Sequence, residues 1–259
     1  MSSPTHWAAG RYDAVGDRIA PIAAEVVAAA GQRGEFTDVV DLACGTGSAA
    51  LAAAAAGARV TGVDLTAELI EIGADKARRA GHSVTWVTGD AADTGLPGES
   101  FDTAVSNMGI IFVEPRTQVA EIARLLKPRG VLGFSAWVRD ADNPFFTPIV
   151  SVLGPPQNAG HSPDQWGEPE TVAGRLAADF DGVVIESGTH TWQLGPVSDA
   201  MRWVIQESPM HVSLFAGIDD DATHERLRAA FEDRFGSCVD RDGNVTYDAP
   251  YLVVTALRR

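Results

Sequence analysis

The residues best suited to hold a polar small molecule stand in the run Asp41-Leu42-Ala43-Cys44-Gly45-Thr46-Gly47. This run lies between a short apolar segment and an Ala-rich segment that begins at Ser48. Glycine adopts positive φ easily and has no side chain to obstruct a ligand, and the first turn of a helix attracts anionic groups. The pattern therefore predicts a strand, a ligand-binding loop and a helix, in that order.

Two further carboxylates follow the next two predicted strands: Asp64 ends one strand, and Asp90 follows the other. A carboxylate in the position of Asp64 accepts both hydroxyls of a ribose, and one in the position of Asp90 accepts from an amine such as that of adenine. The glycine loop with Asp64 alone fits a nicotinamide dinucleotide as well as S-adenosylmethionine. Asp90 favours S-adenosylmethionine, as does Asp41, which stands where dinucleotide folds usually carry an apolar residue. An alternative for Asp41 is that it caps the backbone of the turn.

Hydrophobic periodicity indicates the elements that position these residues. Strands are predicted at 38–43, 59–63, 83–87, 101–106 and 131–137. Helices are predicted at 18–30, from residue 48 to the stop at 57, at 68–80 and at 116–126. Such an alternation predicts a parallel sheet with helices on both faces, and ligands of such sheets bind at the carboxyl ends of the strands.

The second half of the chain departs from this alternation. We predict one domain over residues 1–259, with a core of 16–138, 180–195 and 243–259. Residues 139–179 and 196–242 are interpreted as insertions that form a helical cap.

Composition excludes several classes of protein. The chain has 20 Lys and Arg against 35 Asp and Glu, and the resulting net charge of −15 disfavours nucleic acid as a partner. The two cysteines form no disulfide framework, and the histidines show no metal-ligand spacing, so no metal is expected. No apolar run is long enough to cross a bilayer, and the N-terminus resembles no signal peptide. A cytoplasmic protein without a membrane partner is therefore expected.

Taken together and in this order, the motifs resemble the class I S-adenosylmethionine-dependent methyltransferases, of the small-molecule type found in quinone biosynthesis and natural-product pathways. The matching segments are 39–47, 62–66, 89–91, 96–97, 100–102 and 125–132. The resemblance implies a Rossmann-like, seven-stranded, mostly parallel sheet with an antiparallel last strand. It also implies S-adenosyl-L-methionine as the cofactor.

The resemblance further implies a role for each cofactor-binding residue. Those expected around the methionine part and the sulfonium are Asp41, Ala43, Gly45, Gly47, Ser106, Asn107 and Met108, with Tyr12 covering the carboxylate. Those expected around the adenosine are Asp64 at the ribose, Leu65 on the adenine, and Asp90 with Ala91 at the adenine amine.

The acceptor side is less specified by the sequence. His211 lies in the second predicted insertion and is a candidate general base, the alternative being a surface or structural histidine. Six aromatic residues either line an apolar acceptor pocket or form the core of the insertions: Trp137, Phe145, Phe146, Trp166, Trp203 and Phe215.

The preferred hypothesis is in-line methyl transfer to a small, partly apolar acceptor in a capped pocket. Two alternatives stay open at this point. One is a nicotinamide-dependent oxidoreductase. The other is a methyltransferase-like fold that acts as a non-methylating cyclase or a binding protein.

Overall fold

A computed structural model describes residues 7–155 and 160–259 of the chain. The strands are β1 (Asp38–Leu42), β2 (Arg59–Asp64), β3 (Val84–Thr88), β4 (Phe101–Asn107), β5 (Leu126–Trp137), β6 (Phe180–Gln193) and β7 (Thr246–Arg258). The helices are α1 (Tyr12–Gly31), α2 (Ser48–Ala55), α3 (Ala67–Ala80), α4 (Pro115–Leu125), α5 (Thr147–Leu153), α6 (Pro169–Leu176), α7 (Val197–Arg202), α8 (Pro209–Ala216) and α9 (Asp221–Gly236).

The seven strands form one sheet in the order β3-β2-β1-β4-β5-β7-β6. Strands β1 to β5 pair in parallel, and β7 runs antiparallel to β5. The predicted fold is therefore confirmed. Because the strand order reverses between β1 and β4, right-handed crossovers place α2 and α3 on one face and α4 on the other. The same reversal opens a crevice at the carboxyl ends of β1 and β4, where open α/β sheets bind their ligands.

The chain divides into two compact units. The sheet unit comprises Gly16–Val138, Gly160–Gly188 and Tyr251–Arg259. The helical unit comprises, in the described part of the chain, residues 7–15, 139–155 and 189–250. Whether the two units act as one domain stays a prediction.

The first predicted insertion is divided between these units. Its later part, from residue 160 onward, packs with the sheet. Trp166 is fully buried, and its ring lies edge-to-face with Phe134 of β5 at a centroid distance of 5.3 Å. Val172 and Leu176 of α6 are also fully buried. The large apolar side chains of this segment are thus buried within the sheet unit. The prediction that residues 160–179 belong to a cap is therefore wrong for this segment. It arose because the intervening Pro, Gly and Asp residues hide the helical periodicity.

No helix among the described residues combines the length and the apolar character that a membrane span requires. The described residues also contain no group of three or more side chains arranged to hold a metal ion.

Candidate cofactor-binding site

The loop after β1 is held by the acid that ends β2. Ala43, Gly45 and Gly47 all have positive φ, at 51°, 54° and 82°. Asp64 is nearly buried, and its Oδ2 accepts from the Gly45 N–H at 2.8 Å while Oδ1 accepts from the Thr66 N–H at 2.9 Å. Asp64 therefore fixes two loops against each other at the carboxyl edge of the sheet.

Asp41 lies under the same loop, at 1% exposure. Its Oδ2 accepts from the N–H of Ala50, in the first turn of α2, at 2.7 Å, whereas its buried Oδ1 has no hydrogen-bond partner. Burial raises the pKa of Asp41 to about 8, and the nearby carboxylate of Asp64 adds to the increase. One oxygen thus performs the capping role that the sequence left open, and the other is buried without a partner.

The loop after β4 meets the loop after β1. Ser106 Oγ donates to the carbonyl of Leu42 at 2.7 Å and accepts from the Ile110 N–H at 3.1 Å. A side chain at Gly109 would overlap the carbonyl oxygen of Ala43. Between them, Met108 is buried and has φ at 56°, which is a strained conformation for a residue with a side chain. The two loops therefore form one tightly packed wall.

A polar network that the sequence did not indicate supports Met108. Ser135 of β5 is fully buried, and its Oγ donates to Asn107 Oδ1 at 2.8 Å and accepts from the Met108 N–H at 3.1 Å. Asn107 Nδ2 donates to the carbonyl of Ile19 in α1 at 3.2 Å. The available signal was a single serine inside the otherwise apolar run Val131–Trp137. Its importance depends on pairing with β4, which a local motif does not report.

The residues expected at the adenosine lie at the ends of β2 and β3. Leu65 is 72% exposed, which is unusual for a leucine beside a buried aspartate. Asp90 is also exposed, and its Oδ1 accepts from the Ala92 N–H at 2.8 Å. Ala91 is buried, and its carbonyl accepts from Gln118 Nε2 at 3.1 Å. An exposed apolar side chain and an exposed carboxylate in neighbouring loops suit the apolar ring face and the amine-bearing edge of an adenine, respectively.

Tyr12 and His211 belong to the helical unit. Tyr12 begins α1, and its ring lies edge-to-face with Trp7 at 6.0 Å. His211 is 1% exposed, and its Nδ1 lies 2.7 Å from Ser208 Oγ while its Nε2 lies 3.1 Å from the Phe145 carbonyl oxygen. Burial lowers the pKa of His211 to about 4. This environment does not support a general base, because both ring nitrogens have partners and burial disfavours protonation. We infer a structural role.

The candidate pocket aromatics occupy several environments. Phe145, Trp203 and Phe215 are buried in the core of the helical unit, and Phe145 contacts the rings of Trp203 and His211. Trp166 is buried in the sheet unit, whereas Phe146 is 47% exposed. Trp137 at the end of β5 packs on Tyr251 of β7. The alternative that these aromatics form a core is therefore the one that the structure supports for the buried members.

The residues at the carboxyl edge fit S-adenosylmethionine. The unpartnered Oδ1 of Asp41 offers an acceptor to a cationic group, the Gly45–Gly47 loop keeps side chains out of the way, and exposed Leu65 offers an apolar face. These features suit an ammonium group, a flexible chain and a purine, respectively.

The conformation of the loop can be tested at Gly47. Trp86 of β3 lies among three glycines, and a Cβ at Gly62 or Gly73 would come within 2.8 Å of its indole. A Cβ at Gly47 would overlap the same ring, and φ there is 82°. We expect Gly47→Ala to lower the free energy of unfolding by about 2 kcal/mol, through backbone strain and overpacking together. Urea titration followed by tryptophan fluorescence measures this change.

A double-mutant cycle separates the two causes. In a Trp86→Leu background the overlap is gone, so Gly47→Ala should cost only about 1 kcal/mol from the unfavourable φ. An equal loss of unfolding free energy in both backgrounds would show that the Trp86 ring is not the reason why residue 47 is glycine.

Comparisons with known proteins agree with this geometry. A family model described as a methyltransferase domain matches residues 39–130. An uncharacterised protein of Mycobacterium tuberculosis (strain ATCC 25618 / H37Rv) is 30% identical over 188 residues, which are 70% of this chain and 67% of that protein. The ubiquinone/menaquinone biosynthesis C-methyltransferase of Rubrivivax gelatinosus (strain NBRC 100245 / IL144) is 41% identical over 134 residues, 49% of this chain and 51% of that protein.

Solved structures share the fold at lower identity. The geranyl diphosphate C-methyltransferase from Streptomyces coelicolor A3(2), solved with Mg²⁺, geranyl diphosphate and S-adenosyl-L-homocysteine, superimposes with a TM-score of 0.52 at 18% identity. The match covers 92% of this chain and 79% of that one.

Proposed function

Because the chain belongs to the class I S-adenosylmethionine-dependent methyltransferases, we propose that it methylates a small, partly apolar acceptor. The observation that carries this proposal is the convergence of the loops after β1, β2 and β4 at the point where the strand order reverses. Asp64 and Ser106 tie these loops together. The nicotinamide alternative is set aside, since it leaves Asp90 without a role.

The chain's own residues bind and orient the cofactor. Asp64 accepts from the ribose hydroxyls, Leu65 packs on the adenine, and Asp90 accepts from the adenine amine. Asp41 Oδ1 and the Gly45–Gly47 loop hold the methionine part. When bound, S-adenosylmethionine supplies an electrophilic methyl group attached to a sulfonium.

Catalysis in this proposal rests on positioning and on exclusion of water. The leaving group of such a transfer is already cationic, so a fixed approach geometry and a dry site supply much of the rate. Met108, held by Ser135 in a strained conformation, forms the rigid wall beside the reacting centre. His211 takes no part, since its ring nitrogens are buried and engaged.

The side chains that come after β4 support an apolar acceptor. Met108, Ile110 and Ile111 are buried, and Phe112 is 43% exposed, so this segment is apolar and uncharged. The net charge of −15 disfavours a polyanionic acceptor. The similarity to a quinone-biosynthesis C-methyltransferase supports an aromatic acceptor such as a quinol.

Two measurements test the proposal. Isothermal titration with S-adenosylhomocysteine should give micromolar binding, whereas NADH should give none. Transfer of labelled methyl from S-adenosylmethionine should then be detected with a panel of demethylated quinols and phenols, but not with RNA. Binding of NADH alone would contradict the cofactor assignment. Cofactor binding with transfer only to charged acceptors would contradict the acceptor class.

A further inference from the structure

Strand β3 forms one edge of the seven-stranded sheet. It pairs with β2 on one side, and no other strand among the described residues pairs with its outer side. Segment 83–88 has the sequence SVTWVT, which contains no charged residue and no proline, and β3 pairs with β2 without a register shift. Edge strands are usually protected by charges, prolines or bulges, because a bare edge pairs with other chains. The β3 edge is therefore suited to accept another strand.

The outward hydrogen-bonding groups of this edge follow from one contact. The Gly89 N–H donates to the carbonyl of Asp64 in β2 at 2.9 Å. Because successive residues of a strand direct their N–H and C=O groups to opposite sides, Val84, Trp86 and Thr88 direct theirs away from β2. The row is self-complementary in an antiparallel sense. With Trp86 opposite Trp86 and Val84 opposite Thr88, each facing pair exchanges two hydrogen bonds.

The flank of α3 beside this edge carries an acid, a small residue and a base. Ala74 and Arg78 line an open groove together with Val84 and Trp86. Glu71 lies on the same flank, because residues 71, 74 and 78 follow the helical spacing of three and four. Glu71 is exposed, and the side chain of Arg78 is 72% exposed. Both charges are therefore accessible to a neighbouring molecule.

These charges match under the same two-fold rotation that pairs the strands. A Cβ at Gly73 would lie 2.8 Å from the indole of Trp86, so this turn of α3 stands level with Trp86. At about 1.5 Å per residue, Glu71 lies about 4.5 Å before Ala74 and Arg78 about 6 Å after it. A two-fold axis at Trp86 reverses this order in the second copy. Glu71 of each copy then faces Arg78 of the other, and Ala74 leaves room for the helices to approach.

We propose that the chain forms a symmetric dimer in which the β3 strands of two copies pair antiparallel into one continuous sheet. The two α3 helices lie side by side on one face of that sheet, with two Glu71–Arg78 contacts related by the axis. Arg78 already contacts Asp75 of its own helix at 2.8 Å, and its guanidinium has enough donors for both carboxylates. This inference is independent of the proposed function, since all of these residues lie outside the candidate cofactor site.

The test is sedimentation velocity of the full chain at about 1–100 µM and an ionic strength of about 0.15 M, which screens the net charge of −15. Two variants, Glu71→Arg and Arg78→Glu, each replace both attractive contacts with like-charge contacts. The dissociation constant of the dimer should rise roughly tenfold or more in each. The matched control is Arg79→Glu, which makes the same charge change at a 75% exposed side chain about 100° further round the helix.

Mixing the two variants gives the sharpest result. A dimer of one Glu71→Arg copy and one Arg78→Glu copy has opposite charges at both contacts, so the equimolar mixture should dimerise about as tightly as the wild type. Arg79→Glu should also dimerise like the wild type.

Three outcomes would overturn the proposal. A wild-type chain that stays monomeric over this range leaves the β3 edge to solvent or to a different protein. A dimer that neither single variant weakens uses another surface. Single variants that weaken the dimer but do not complement each other exclude the antiparallel register.

Discussion

Replacing Asp64 with alanine should raise the dissociation constant of S-adenosylhomocysteine by roughly 10- to 100-fold, since the charge-assisted hydrogen bonds that we propose between Asp64 and the ribose would contribute about 1.5–3 kcal/mol. The same change removes the acceptor of the Gly45 and Thr66 N–H groups, which the structure places at 2.8 and 2.9 Å. The glycine loop therefore loses its anchor together with the ligand contact. Isothermal titration at pH 7.5 measures the affinity.

The matched control is Asp75→Ala on the exposed side of α3. Asp75 forms surface ion pairs with Arg78 and Arg79 and lies outside the predicted site. We expect the Asp75→Ala variant to bind S-adenosylhomocysteine with a dissociation constant within twofold of the wild type, because exposed ion pairs contribute little to folding stability. If the Asp64→Ala variant folds and binds S-adenosylhomocysteine with the affinity of the wild type, the assignment of Asp64 to the cofactor site is wrong.

Replacing His211 with glutamine should reduce the loss of folding stability that occurs as the pH falls from about 6.5 to 4. The pKa of about 4 in the folded protein lies below the ordinary histidine pKa of 6.5, so the unfolded chain binds the extra proton between these two pH values. The stability that neutral His211 contributes is therefore present above about pH 6.5 and is lost as the pH falls toward 4. The shift is equivalent to about 3 kcal/mol.

The expected result is a difference in folding stability between the wild type and His211→Gln that depends on pH. At pH 7.5 the variant should be less stable than the wild type by about 3 kcal/mol, because ring packing and two buried hydrogen bonds are lost. Near pH 4 that difference should almost vanish. Urea titrations of both proteins across this range measure it, and the comparison cancels the titration of Asp41. His82→Gln, at a half-exposed turn, should change stability by less than about 0.5 kcal/mol at each pH. A wild-type advantage that stays constant with pH would contradict the assignment of His211 to the core.

The fold was predictable because its signals are local. Strand β1 is a short apolar run and β3 alternates in residue type, while helices α2 and α3 begin within a few residues of the ends of β1 and β2. The right-handed crossover then leaves little choice of topology. Segment 160–179 was assigned to a cap because its buried residues, such as Trp166 and Leu176, are separated by turn-forming residues. The partner of Trp166 is Phe134 in β5, and that long-range contact has no sequence period.

In the candidate cofactor site, too, local sequence predicted some features and long-range contacts decided others. Asp41, Gly45, Gly47 and Asp64 stand next to strand ends, so residue type and position were enough to predict that they lie at the carboxyl edge of the sheet. The partners of these residues were not predictable. Asp64 binds a loop N–H 19 positions away, and Trp86 lies against Gly47 from another strand.

The sequence by itself determined the sheet, the family and the residues that line the carboxyl edge, because those depend on the order of short motifs along the chain. The tertiary structure decided what each side chain does there. It left one oxygen of Asp41 without a partner, placed Ser135 beneath Met108, and buried both nitrogens of His211. These outcomes depend on the burial and pairing of residues far apart in sequence, and burial sets whether a carboxyl or an imidazole carries a charge.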